Sequence, residues 1–230
     1  MKKVLAAALL CAVSTFASWD KFPVIEYGKG QAKIEWATGR QGNNGWGTET
    51  HFYGIRYSLL ENLELAALAN DNYTLGARYQ IVPVLSAGVD VGFPLPGTAW
   101  SFTPNVQFST EITSTLSLGS NVEATISTED AGKNTDGIDL AAGVELDLAF
   151  SEKSTIWVSF DIDKKLTEDK QNGQKVTDSN KGLLLNPSVG YLIILGNLEL
   201  GTFVGFEFGG KDVDRDPFAT VVGMDAAVKF

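Results

Sequence analysis

The 230-residue sequence contains one cysteine and one histidine, and no stretch of it approaches the roughly 20 apolar residues of a membrane-spanning helix. Each scarcity excludes a class of chemistry. Cys11 lies in the apolar run Val4 to Val13, which follows Lys2 and Lys3 and precedes the small residues Thr15 and Ala17. Residues 1–17 therefore read as a secretory signal peptide cut before Ser18, too short to span a bilayer. A lipoprotein signal needs a small residue before its cysteine, and Leu10 is not one. The expected mature chain thus has no disulfide, free thiol or cysteine-bound metal. His51 alone excludes a multi-histidine metal centre. Basic excess is missing too: the net charge of −10 argues against a nucleic-acid partner. Glycines fall in turns or on one face of an alternating pattern, so no phosphate-binding loop is present.

What the chain does have is two-residue alternation. After an N-terminal periplasmic lead at 18–30, the pattern predicts twelve strands in 31–230, near 31–38, 49–59, 63–69, 73–81, 84–93, 101–111, 116–126, 138–150, 155–164, 183–193, 198–208 and 218–230. Ile138, Leu140, Ala142, Val144, Leu146, Leu148 and Phe150 alternate with Asp139, Ala141, Gly143, Glu145, Asp147 and Ala149. Connections alternate as well. Long polar ones fall at 39–48, 94–100, 127–137, 165–182 and 209–217. Short ones fall near 60–62, 82–83, 112–115, 151–154 and 194–197, and only 70–72 breaks the rule. Segments of about ten alternating residues joined by short turns on one side and long loops on the other are the signature of an antiparallel up-and-down transmembrane β-barrel. A bilayer satisfies no backbone hydrogen bond, so a chain without a spanning helix can cross it only as a closed barrel.

The register follows from cost, since an Arg on the lipid side at mid-membrane costs about 2–4 kcal/mol. The cheaper assignment puts Lys33, Arg56, Arg78 and Lys229 inside, with Glu35, Glu64, Asp90, Glu111, Glu123, Asp139, Glu145, Asp147, Asp161, Asp163, Glu199, Glu207 and Asp225. A one-residue slip in the eighth strand alone would put three carboxylates into hydrocarbon. The expected pore-lining set is Arg56, Arg78, Asp90, Glu123, Glu145, Asp147, Asp161, Asp163, Glu199, Glu207 and Asp225. Trp157 and Phe203 also face inward, to narrow the bore or line an apolar track. Small inner residues, among them Gly76, Gly143, Gly190, Gly201 and Gly223, are expected to leave room. Outward aromatics fall at both ends of the apolar band, Tyr79, Phe150 and Phe230 at one and Phe93, Phe102, Phe208 and Phe218 at the other, as membrane interfaces require.

The last strand is distinctive. Phe218, Val222, Met224, Val228 and Phe230 line an apolar face, and the sequence ends on the aromatic. This resembles the closing strand of bacterial outer-membrane β-barrels, the broad porin-like superfamily. The resemblance implies that those five residues act as an insertion signal read by the barrel-assembly machinery. It also implies an outer-membrane location with both termini periplasmic, and partners that are membrane lipid and small ions or solutes.

Little here suggests an enzyme. Outer-membrane phospholipases pair a His with a Ser two positions along one lipid-facing strand, whereas Glu49 and Tyr53 flank His51 at that spacing. Acid pairs such as Glu145/Asp147 and Asp161/Asp163 are i,i+2 neighbours on a strand and read as a solvated acidic wall. Residues 212–216 lack the Gly and the distant Glu of an EF-hand, and read as a charged surface loop. No cofactor and no metal are expected. Rings of Asp and Glu favour cations, so the expected function is a narrow, passive, cation-leaning channel for small solutes. The alternatives are a non-conducting structural or adhesive barrel acting through its loops, chiefly 165–182, a lipid-acting hydrolase centred on His51, and uptake of an apolar compound past Trp157 and Phe203.

Overall fold

The computed structural model describes residues 21, 26–41, 46–69, 73–93, 100–127, 137–166, 170–171, 174–175, 183–209 and 218–230. The predicted signal peptide, the connection at 70–72 and the acidic loop 212–216 lie outside the described residues. The strands are β1 (Gly30–Gln41), β2 (Trp46–Leu60), β3 (Leu63–Ala69), β4 (Tyr73–Val82), β5 (Leu85–Phe93), β6 (Ser101–Thr113) and β7 (Leu116–Ser127). They continue as β8 (Gly137–Ser151), β9 (Ser154–Lys165), β12 (Leu183–Leu195), β13 (Leu198–Gly209) and β14 (Phe218–Lys229). A two-residue hairpin, β10 (Lys170–Gln171) with β11 (Gln174–Lys175), falls within the long connection 165–182, where sequence reasoning expected only loop.

Twelve strands pair antiparallel around a complete ring, and β14 returns to β1. The closing ladder runs from Gln31 opposite Lys229 to Gln41 opposite Ala219. At its end Gly30 N–H donates to the Phe230 carbonyl at 2.7 Å, and Phe230 N–H donates back to the Gly30 carbonyl at 2.9 Å. Every strand of the ring therefore has two neighbours, and the barrel leaves no edge for lipid to meet. Several strands outrun their sequence-predicted ends. β1 continues through Gly39, Arg40 and Gln41 because β14 offers partners there, a supply invisible to a reading of β1 alone.

The short connections are tight turns at 61–62, 83–84, 114–115, 152–153 and 196–197. Gly196 has φ of 66°, a left-handed conformation that costs glycine little. Two prolines sit inside strands. The β6–β7 ladder is interrupted beside Pro104, between the pairs Phe102–Ile126 and Asn105–Glu123, and the β12–β13 ladder beside Pro187, between Leu185–Phe208 and Ser188–Gly205. Each residue retains its other neighbour in the ring, so the cost of the missing N–H stays local.

The distribution of polarity inverts that of a soluble domain. Val122, Leu146, Val158 and Val189 are exposed on the outer wall, while Asn121, Glu145, Ser159 and Ser188 beside them are buried. The outward aromatics Tyr79, Phe102, Phe150, Phe208 and Phe230 are exposed as the register predicts, and Phe93 is half-buried against Trp100, ring centroids 5.0 Å apart. An exposed apolar wall on a closed barrel is a surface for lipid. Placing a charge there tests this: Val144→Arg, midway along the outer face of β8, is expected to lower stability by about 2–4 kcal/mol. Urea titration of folding into lipid vesicles measures it, and a change below about 0.5 kcal/mol, the size of an ordinary surface substitution, would reverse the face assignment.

Candidate functional site

Because inner positions recur every second residue on twelve strands, the lumen collects the polar half of the sequence. One arc of the wall is a continuous belt of hydrogen bonds and ion pairs. Lys229 Nζ lies 2.5 Å from Glu199 Oε1, and Gln31 Nε2 donates to Glu199 Oε2 at 2.8 Å. Arg56 Nε and Nη2 both donate to Gln31 Oε1, at 3.0 and 2.7 Å, and Arg56 Nη1 lies 3.6 Å from Glu64 Oε2. Arg78 then joins Glu64 at 3.3 Å to Asp90 at 3.8 Å, and Asn105 Nδ2 donates to Asp90 Oδ2 at 2.8 Å. The belt thus crosses the β1–β14 seam and reaches β6. Beside it Lys33 donates to Glu35 at 2.8 Å, stands 4.0 Å from Asp225, and lies over the Phe52 ring at 5.6 Å.

The opposite arc is acidic. β8 and β9 supply Glu145, Asp147, Asp161 and Asp163, and β13 supplies Glu207. Among the described residues, the inward cations of the wall come from β1, β2, β4 and β14, apart from Lys165 opposite Asp139 at the end of β9. The ammonium that meets this arc comes from outside the wall. Lys21, in the lead, is fully buried, with Nζ 2.6 Å from Asp161 Oδ1. Neutral groups complete the arc: Asn186 Nδ2 donates to Asp163 at 2.6 Å, and the Ser159 and Ser188 hydroxyls share a 2.6 Å hydrogen bond.

All eleven predicted pore-lining residues lie on the inner face: Arg56, Arg78, Asp90 and Glu199 in the belt, Glu145, Asp147, Asp161, Asp163 and Glu207 in the acidic arc, Asp225 beside Lys33, and Glu123 on β7 opposite Asn105. Glu111 is exposed at the turn end of β6, and Glu35 is buried within the Lys33 group. Trp157 and Phe203 point inward and meet at 6.2 Å between centroids, forming an apolar cluster with Ala37 and Val221. The expectation that small inner residues leave room is corrected at five positions. Gly190 is paired with Trp157 and Gly223 with Phe203, and a Cβ on either glycine would fall within the partner's ring. Asp90, Asp161 and Asp225 likewise cover Gly76, Gly143 and Gly201. These glycines are seats for side chains brought over them, and at Gly143 the hollow is occupied by Asp161 together with Lys21. Between the aromatics and the turns a cavity of about 40 Å³ remains, bordered by Lys33, Glu145, Asp147, Trp157, Glu199 and Asp225, enough for ordered water.

His51 is exposed on the outer wall, opposite Trp36 in the ladder. Val222, Met224, Val228 and Phe230 of the predicted insertion signal lie on the outer face, whereas the Phe218 side chain is outside the described residues. Lys21 and the amides Gln31, Asn105, Gln107, Asn121 and Asn186 were missed as site residues. The amides were readable, since strict alternation places them inside. Lys21 was not, because it precedes the first strand.

Residues 65–213 match the family described as "Putative MetA-pathway of phenol degradation". The chain belongs to this family. No match is found among curated proteins. The MetA-pathway family chain is similar in structure to an outer membrane channel from Pseudomonas putida F1, with TM-score 0.73 at 10% identity, covering 93% of this chain and 100% of that one. It is also similar to the NanC porin, with TM-score 0.62 at 9% identity over 86% of this chain and 100% of that one. A third likeness is to the KdgM porin in complex with disordered oligogalacturonate, with TM-score 0.55 at 13% identity over 86% and 99% of the two chains. At identities this low, the likeness shows a shared β-barrel fold.

The belt predicts strong coupling in this family member. Arg78→Met leaves Glu64 and Asp90 without their shared guanidinium and is expected to cost about 3–5 kcal/mol, with Glu64→Gln in the same chain recovering part of it. Urea titrations of the four proteins of the cycle measure this, and strict additivity would mean that the pair contributes nothing.

Proposed function

We propose that the chain is an outer-membrane channel with both termini periplasmic, and that its lumen is a narrow, passive, cation-leaning path for small solutes rather than an enzyme's active site. The observation that carries this reading is the acidic arc of Glu145, Asp147, Asp161, Asp163 and Glu207, whose strands β8, β9, β12 and β13 contribute, among the described residues, no inward cation other than Lys165. A one-signed wall in a low-dielectric bore concentrates the opposite ion. The belt on the other side is internally paired and contributes little net field. The porin-like fold and the channel and porin descriptions of its structural neighbours support conduction. In this reading membrane lipid surrounds the outer wall, and Phe218, Val222, Met224, Val228 and Phe230 are read by the barrel-assembly machinery during insertion.

A second reading, uptake of a small aromatic or other apolar compound, is favoured by one observation. Trp157 and Phe203 form an apolar patch inside an otherwise polar lumen, and the family description names phenol degradation.

Planar-bilayer recording of refolded protein, with heat-modifiable gel migration as the check of closure, tests both. Discrete cation-preferring steps are expected, with the preference reduced when Asp161→Asn and Asp163→Asn are combined. A closed barrel that never conducts sinks the ion channel. If such a barrel still admits phenol to liposomes, and Trp157→Ala slows that entry, the second reading takes its place.

A further inference from the structure

Conduction alone gives no reason for a lysine of the lead to be buried in the lumen. The wall around it has a definite shape. Asn121 on β7, Gly143 on β8 and Asp161 on β9 lie side by side in the ladders, and glycine at the centre leaves a hollow. At the point where a Gly143 Cβ would stand, Asp161 Oδ1 closes in from one side and Asn121 Oδ1 from the other at 2.8 Å, with Lys21 Cε at 2.6 Å. Lys21 Nζ is 2.6 Å from Asp161 Oδ1. Asn121 is 5% exposed, and its Oδ1 has no hydrogen-bond partner even with Lys21 beside it. A buried, unpartnered acceptor aimed at the same hollow as a carboxylate calls for a donor, and an ammonium carries three.

We propose that the hollow over Gly143 is a recognition site for the primary ammonium group of a small organic amine, with Lys21 as its built-in occupant. The chemistry favours an ammonium over a bare metal ion, because no group of three metal-binding side chains occurs among the described residues. One carboxylate and one amide oxygen match directed N–H donors better than a hard cation that demands six or more oxygens. The lead is pinned at the rim, where Gly28 N–H donates to the Ser58 carbonyl at 3.0 Å and Ser58 N–H to the Lys29 carbonyl at 2.9 Å. Tethering gives Lys21 an effective concentration of the order of millimolar, so a free amine meets competition at this site. An amine solute that displaces Lys21 would enter the acidic arc with its charge already matched.

The site rests on the channel reading only for access from outside, and calorimetry of the detergent-solubilised, heat-modifiable barrel tests it without ion flow. The probe is n-butylammonium chloride, with tetramethylammonium, which has no N–H donor, as control. Lys21→Ala is expected to bind n-butylammonium at least about tenfold more tightly than the unsubstituted chain, and to ignore tetramethylammonium. Adding Asp161→Asn, Asn121→Leu or the hollow-filling Gly143→Ala to Lys21→Ala should each abolish binding, so the assignment does not depend on any single variant folding. Equal affinity with and without Lys21, equal affinity for tetramethylammonium, or binding that survives these substitutions would overturn the proposal. Butylammonium binding in a barrel that carries no current would sink conduction and leave the site standing. Current without such binding would do the reverse.

Discussion

An apolar bilayer accepts no hydrogen bond from a backbone, and the rest of this architecture follows from that constraint. The β1–β14 ladder is where it is met, since without that seam two strands would present unpaired N–H and C=O groups to hydrocarbon. Closure also explains tolerances that a soluble sheet would lack. Pro104 and Pro187 each interrupt one ladder, yet the strands stay held by their other neighbours. With the backbone satisfied all round, the outer wall can be apolar without limit and the polar side chains have one place to go.

Collecting so many charges in one bore creates the second constraint, since a buried charge is costly unless it is paired or hydrogen-bonded. The two arcs meet it differently. Between Glu199 and Asn105, guanidinium and amide groups alternate with carboxylates, so each Arg serves two partners. Across the lumen, β8 and β9 place Glu145, Asp147, Asp161 and Asp163 together, and an ammonium that belongs to no strand meets them. A bore paired on one side and acidic on the other is polarised across its width, and this asymmetry is the physical basis of the cation preference proposed here. The Trp157–Phe203 cluster adds an apolar contact surface to the same bore.

Much of this was legible in the primary structure. The strands β7, β8 and β9 announce themselves because any slip would drive Glu145, Asp147 and Asp161 into lipid, so alternation and cost agree. The turns at 152–153 and 196–197 were equally plain from their shortness. Strand ends were less so, because how far β1 pairs depends on what β14 offers. Inner glycines misled for a related reason. In isolation Gly190 and Gly223 look like open space, and only the ladder partner reveals that Trp157 and Phe203 lie over them.

The sequence by itself determined that the chain is a twelve-stranded barrel, which residues face inward and which face lipid, because a pleated strand carries that information locally, two residues at a time. The tertiary structure alone decided which inward charges meet. Glu199 finds Gln31 across 168 residues of chain through the closing seam, and Lys21 reaches Asp161 from a segment with no strand pattern. Contacts of this kind depend on the order of strands around a ring and on where a tether lands, and neither is written in the period of any one strand.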